Sequence, residues 1–299
     1  MIGILGAGAL GRLWAALLPA DQVGYLSRPE ASLSGQDVDY IFESISGEEH
    51  PIHLSPITPE TISVLLVTTK AGDTLTALQH RMPAIPLRTP IVLFQNGLGS
   101  QQSVAEAWPD RPILAASTTE GANRPTPERV IHAGLGKTWL GPMTPSGRQC
   151  VEDVLRVLKQ TGLELHAEEN ILTRLWDKLI VNAGINPFTA ILDCPNGDLL
   201  ESAFFQKHIG ALCREMALLV AAETDRDLSP EDLQERIRDV VIRTARNTSS
   251  MRADVLRGKP TEIDFINGYL VGLGKKLGIP TPVNQLLTEQ VKQLSPHSE

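Results

Sequence analysis

The sequence predicts two domains, an α/β half followed by an all-α half. Short continuous apolar runs alternate with helix-like stretches up to about residue 167, and then the strand signal stops. A glycine loop joins the first apolar run to the first helix. A length of 299 residues also fits about two domains.

The elements follow in order. Ile2–Leu5 reads as a strand and residues 10–18 as a helix, with Leu10, Leu13, Trp14, Leu17 and Leu18 on its apolar side. Residues 23–26 read as a second strand. Residues 62–68 and 91–94 are unbroken apolar runs, as expected of buried parallel strands. Residues 72–79 and 101–108 read as helices. Residues 39–46 and 53–55 alternate more strictly and suggest an antiparallel excursion. Strand signals recur at Ile113–Thr118, 130–132 and 138–140. A helix over 149–161 and a last strand over 163–166 complete this half. Beyond it, residues 169–184, 204–224, 230–245, 262–277 and 283–294 all read as helices. Proline and glycine punctuate them at Pro187, Pro195-Asn196-Gly197, Gly258-Lys259-Pro260 and Gly278-Ile279-Pro280. The strand signal places the domain boundary at 167/168.

Composition narrows the function classes. Hydrophobic residues make up 42% and charged residues 21%, a soluble globular balance. A net charge of −8 gives no support to binding nucleic acid or an anionic membrane. The three cysteines, Cys150, Cys194 and Cys213, are far apart and suggest neither a disulfide framework nor a metal site. No apolar run is long enough to span a bilayer, and no leader pattern precedes the first strand. A reducing, cytoplasmic setting is therefore expected.

Gly6-Ala7-Gly8-Ala9-Leu10-Gly11 forms a G-x-G-x-x-G between strand and helix. The first glycine permits a tight turn, the second a close approach of backbone to pyrophosphate, and the third close helix–strand packing. The helix N-terminus adds N–H donors. This predicts a Rossmann-type dinucleotide-binding domain. The next strand ends at Leu26-Ser27-Arg28. An arginine there favours the 2′-phosphate of NADP, so Ser27 and Arg28 point to NADPH. Glu30 keeps NAD open, though Pro29 moves it past the strand end, and Arg28 is also readable as a solvated surface charge. Lys70 and Asn96 follow two further strand ends, where ligands of such sheets bind. A helix-entry lysine and an Asn-Gly turn are the plainer readings of the two.

In the helical half, Lys178, Asn182 and Asn186 are spaced four apart, which stacks them along one helical face. They border the apolar face formed by Leu172, Trp176, Leu179, Ile180 and Ala183 and drift about 40° per step. Pro187 predicts that the helix ends near Asn186. A proton donor beside two amides suits a small polar substrate, although a helical lysine is ordinarily just solvated. Asn247-Thr248-Ser249-Ser250 offers hydrogen-bonding side chains to a substrate, or a helix N-cap. Thr261-Glu262-Ile263-Asp264 looks like a capped helix start, with Glu262 available to orient a lysine or hold a cofactor.

Together these segments resemble the ketopantoate reductase (2-dehydropantoate 2-reductase) family. The resemblance rests on the glycine loop, Thr69-Lys70-Ala71, Gln95-Asn96-Gly97-Leu98-Gly99, Trp176-Asp177-Lys178-Leu179, Asn182, Ile185-Asn186-Pro187, Asn247-Thr248-Ser249-Ser250-Met251 and Thr261-Glu262-Ile263-Asp264-Phe265-Ile266-Asn267-Gly268. These occur in the family's order across nearly the whole chain. The resemblance implies NADPH-dependent reduction of ketopantoate to (R)-pantoate, on the route to pantothenate and coenzyme A. It implies that Lys178 is the catalytic proton donor and contacts substrate with Asn182, Asn186, Asn196, Asn247, Thr248, Ser249 and Ser250. It assigns the cofactor to Gly6, Ala7, Gly8, Ala9, Leu10, Gly11, Lys70, Asn96, Ala122 and Glu262. One departure stands out: Ser27 occupies the place where the family often has its phosphate-binding arginine, and Arg28 is one residue later. The resemblance allows monomers and homodimers. Two other readings are a reductase of a different 2-keto acid and a non-catalytic NADP sensor, which would need no proton donor.

Overall fold

A computed structural model describes residues 1–27 and 37–294. The chain divides into two compact units. One comprises residues 1–95 and 100–174; the other comprises 96–99 and the chain from 175 onward.

The first unit holds β1 (Ile2–Leu5), α1 (Ala9–Leu17), β2 (Val23–Tyr25), β3 (Val38–Glu43), β4 (Glu49–Leu54), β5 (Val64–Val67), α2 (Ala71–Arg81) and β6 (Ile91–Leu93). It continues with α3 (Ser100–Ala107), β7 (Ile113–Thr118), β8 (Gly121–Thr126), β9 (Arg129–Gly134), β10 (Lys137–Pro142), α4 (Pro145–Arg148), α5 (Val151–Leu158) and β11 (Glu164–Ala167). Among the described residues, one sheet has the order β11-β10-β7-β6-β5-β1-β2. From β2 to β7 all neighbours are parallel, while β10 runs antiparallel to β7. The chain leaves β1 for β2 on one side and returns to β5 on the other. The topological switch therefore lies between β1 and β5, beneath the glycine loop.

The antiparallel excursion expected around 39–55 is the β3–β4 pair of a second sheet, ordered β4-β3-β9-β8. Strand β8 was not legible, because Gly121–Thr126 reads GANRPT, polar and proline-bearing. Helix α1 is covered on two sides. Trp14 packs into the main-sheet core with Ile2, Ile4, Val92 and Leu114, its ring 5.1 Å from that of Phe94. Leu13 packs against Tyr40, Phe42 and Val130 of the second sheet.

The second unit is helical: α6 (Ile171–Leu192), whose first turn lies in the other unit, then α7 (Ala203–Glu223), α8 (Pro230–Arg243), α9 (Ser250–Leu256), α10 (Asn267–Leu277) and α11 (Pro282–Leu294). Two expectations are corrected here. The helix expected to end near Asn186 runs through Pro187 to Leu192. Proline has no N–H, so the Ala183 carbonyl loses its donor one turn later. The Asn267 side chain replaces it, donating Nδ2–H to the Ala183 oxygen at 3.3 Å. The same amide donates to Asn284 Oδ1 at 3.0 Å, and Asn284 Nδ2 donates to Glu215 Oε2 at 2.7 Å. Glu215 also accepts the backbone N–H groups of Val283 and Asn284, at 2.7 and 3.0 Å, which anchors the start of α11. Asn267, Asn284 and Glu215 are all buried. A buried polar chain thus links α7, α11 and α10 to the gap in α6.

The second correction concerns 262–277. A 3-10 turn over Ile263–Phe265 comes first, the chain breaks at Ile266 (φ −107°, ψ −95°), and α10 starts only at Asn267. The Phe265 carbonyl accepts the Leu98 N–H at 2.9 Å instead of joining a helical ladder. Among the described residues, no helix is long and apolar enough to cross a membrane.

Replacing Asn267 by Ala should lower stability by about 2 kcal/mol or more, since it leaves buried acceptors unpaired. In a Pro187→Ala background, where residue 187 regains its N–H, the same replacement should cost about 1 kcal/mol less. Urea midpoints of the four proteins check this; strictly additive effects would refute the donor replacement.

Candidate active site

The glycine loop follows β1 and caps α1. Gly6 has φ +110°, a left-handed conformation suited to glycine, and a Cβ there would lie 2.6 Å from the Thr69 nitrogen. At Gly11 a Cβ would lie 2.1 Å from the Gly6 carbonyl oxygen. At Gly8 it would meet nothing within 4 Å. The outer glycines are therefore demanded by the fold, while the space over Gly8 is open to a ligand's approach. Gly8 is the N-cap residue of α1 and makes no side-chain cap bond, and Ala9, Leu10 and Gly11 form the helix's first turn. That turn presents backbone donors and contains no acidic side chain to repel an anion. The residues present fit a dinucleotide diphosphate. Thr68 steadies the turn, donating Oγ1–H to the Gly6 oxygen at 2.6 Å.

Arg12 and Arg124 also meet this loop, and sequence reasoning missed both. Arg12 Nε and Arg124 Nη1 donate to the Ala7 carbonyl at 3.1 and 3.3 Å. Arg124 comes from β8, more than a hundred residues away, so no local signal exists for it. Ala122, on the same strand, sits at a register shift and packs toward the Leu13–Tyr40–Phe42 cluster.

At the end of β2, Ser27 is half-buried, and its carbonyl accepts a hydrogen bond from Arg81 Nη2 at the end of α2. Arg28 and Glu30, the rival residues for the ribose, lie outside the described residues. Lys70 is the N-cap residue of α2, at the carboxyl end of β5. Gln95 ties the neighbouring strand ends together, donating to the Val67 and Thr69 carbonyls at 2.9 and 3.2 Å.

In the second unit, Asn96 Nδ2 donates to Glu262 Oε2 at 2.8 Å. Gly97 makes this possible. Its φ is +78°, and a Cβ there would lie 2.0 Å from the Phe265 carbonyl oxygen. Lys178, half-buried on α6, lies within the electrostatic reach of Glu262. Burial pushes its ammonium down to about 8, against an opposing upward pull from the Glu262 charge. The adjacent Asp177 is taken up by Arg226 and Arg236, at 2.7 and 3.0 Å. The structure therefore joins Asn96 to Glu262 by a hydrogen bond, and Lys178 feels the Glu262 charge, so three distant segments are coupled.

The remaining predicted contacts gather further along α6, which carries Asn182, half-buried, and Asn186, buried. The Asn186 carbonyl accepts from Thr189 Oγ1 at 2.9 Å, and Thr189 shares a 2.7 Å hydrogen bond with Ser249. Ser249 is the N-cap of α9, accepting the Arg252 N–H at 3.1 Å, so its hydroxyl has a structural task as well. Asn196 is buried and donates to Thr244 Oγ1 at 2.9 Å, and its backbone N–H bonds the Asn247 carbonyl at 3.1 Å. Its Oδ1 is buried with no partner among the described residues. Asn247, Thr248 and Ser250 are exposed.

The chain matches the ketopantoate reductase PanE/ApbA family over residues 2–145 and that family's C-terminal domain over residues 170–295. It is 36% identical over 298 residues to the 2-dehydropantoate 2-reductase of Vibrio cholerae, covering 98% of this chain and 97% of that one. It is 33% identical over 296 residues to the enzyme of the same name from Archaeoglobus fulgidus, covering 97% and 96%. The crystal structure of a PanE/ApbA family ketopantoate reductase from Ralstonia eutropha JMP134 superposes with a TM-score of 0.85 at 25% identity, covering 98% and 97%. With both halves matched in order and nearly end to end, the chain belongs to the ketopantoate reductase family.

Proposed function

We propose that the protein reduces ketopantoate to (R)-pantoate with NADPH, in the cytoplasm, with Lys178 as the general acid. The observation that carries this reading is the Lys178–Glu262–Asn96 coupling. A lysine held near 8 keeps a large ammonium fraction at neutral pH while giving up its proton more readily than a solvated one. Family membership supports the substrate, since the relatives above bear the name 2-dehydropantoate 2-reductase.

The glycine loop from Gly6 to Gly11 would hold the diphosphate, with Ser27, Arg28, Lys70, Asn96, Ala122 and Glu262 completing the cofactor contacts. Bound NADPH supplies the hydride. Reduction of a 2-keto acid places negative charge on the keto oxygen. The Lys178 ammonium stabilises that charge and then delivers a proton from Nζ. Glu262 helps keep Lys178 protonated, and Asn96 fixes the Glu262 carboxylate. Asn182, Asn186, Asn196 and the segment Asn247, Thr248, Ser249, Ser250 would hold the substrate's carboxylate and hydroxyl. The unpartnered Asn196 Oδ1 supports that role, since a buried acceptor without a donor costs stability unless a ligand supplies one.

Purified protein should oxidise NADPH with ketopantoate faster than with ketoisovalerate or oxaloacetate. A different order in that panel would reassign the substrate, and no oxidation with any of them would favour a sensor. Lys178→Ala should cut turnover by about 10²–10⁴-fold while NADPH binding persists. The active form of Lys178 is the protonated one, so kcat/KM should hold below about pH 8 and fall tenfold per unit above it. A flat profile through pH 9 would contradict that assignment.

A further inference from the structure

The glycine loop has an electrostatic feature that its motif does not contain. Arg12 and Arg124 share the same two carbonyl acceptors. Besides Ala7, Arg12 Nη1 donates to the Pro127 oxygen at 2.8 Å, and Arg124 Nη2 donates to it at 3.2 Å. Two guanidinium groups are thereby held side by side at the turn before α1. Like charges so placed repel, and the pair bears that mark: burial and the Arg124 charge both hold Arg12 below its ordinary value. Glu128 and the Tyr40 ring face temper Arg12, whose guanidinium carbon stands 4.9 Å from the ring centroid. Arg12 is nearly inaccessible because α1 is covered by both sheets, whereas Arg124 is half-exposed. Arg124 Nε is buried with no partner among the described residues.

A pair of carbonyls needs no second cation to be satisfied. A structural clamp would be cheaper with one arginine, because the second adds repulsion. An anion at the loop would offset that repulsion. Gly8, one residue from the shared Ala7 carbonyl, is where the backbone leaves open space. We propose that Arg124, backed by the buried Arg12, binds the diphosphate of the dinucleotide at the glycine loop. The proposal rests on the dinucleotide-reductase reading given above. Arg12 acts as a fixed charge behind the turn, and Arg124 is the side chain that contacts the ligand. The diphosphate is common to NADPH and NADH, so this arginine pair governs affinity for both and does not choose between them.

The test is equilibrium binding of NADPH and NADH to the full chain, followed by nucleotide fluorescence at several salt concentrations. The variants are Arg124→Gln, which can still donate to a carbonyl but has no charge, and Arg124→Lys, which retains charge. The expectation is that R124Q weakens NADPH and NADH by the same factor, on the order of tenfold or more. It should also flatten the dependence of log Kd on log salt, while R124K stays within a few-fold of the parent. An unchanged thermal midpoint in R124Q would show that the loss is not unfolding. Parent-like affinity and salt slope in R124Q would overturn the proposal. So would equal weakening in R124Q and R124K with no change in slope, since that is the signature of a backbone clamp. A parent protein that binds neither dinucleotide would instead remove the reductase reading, and this proposal with it.

Discussion

The helical half depends on one hydrogen bond that proline made necessary. Pro187 deprives the Ala183 carbonyl of its helical donor, and the buried Asn267 amide supplies another. Without it, α6 would have reason to stop at Asn186, and the Lys178–Asn182–Asn186 stripe would end on a fraying turn. With it, the stripe sits on a helix that continues to Leu192. The same Asn267 begins α10, immediately after the turn that carries Glu262. One residue thereby supports both the helix that bears Lys178 and the turn that bears Glu262. Glu215 and Asn284 extend this support to α7 and α11. The donors and acceptors along this chain meet at 2.7–3.3 Å, while the Asn267 Oδ1 is buried with no partner among the described residues, so the network is satisfied at every group but that one.

The two units contribute different physics. The first provides an open backbone turn and a helix N-terminus, features that recognise phosphate through N–H groups and charge. The second provides buried and half-buried side chains that tune one another. Burial alone would drive Lys178 toward the neutral amine, and Glu262 works against that. Asn96, which belongs to the second unit although it follows β6 in sequence, orients the carboxylate. The Gly97 turn and the Phe265 carbonyl that accepts Leu98 hold the 96–99 segment in place.

What the sequence made legible was local. The strand-loop-helix at Ile2 to Gly11 is read directly, because each glycine's task is set by immediate neighbours. The four-residue spacing of Lys178, Asn182 and Asn186 is likewise a property of one helix. The failures were all tertiary. Pro187 looked like a terminator because its compensating donor is Asn267, eighty residues later. The 262–277 stretch looked like one helix because the Phe265 carbonyl's partner, Leu98, is remote. Strand β8 is polar and proline-bearing, held by its pairing with β9, so Arg124 could not be placed beside Ala7. Ser249 was readable as a cap or as a ligand contact, and its bond to the Arg252 N–H establishes the first of these.

In the proposed reaction, burial and Glu262 together set Lys178 as a proton donor for neutral pH. Titration of the Lys178 side chain itself, by NMR of labelled lysine in the whole protein, measures this. The expected midpoint is near 8, moving lower in Glu262→Gln because the supporting negative charge is gone. A midpoint at the ordinary lysine value of 10.5, unmoved by Glu262→Gln, would contradict it.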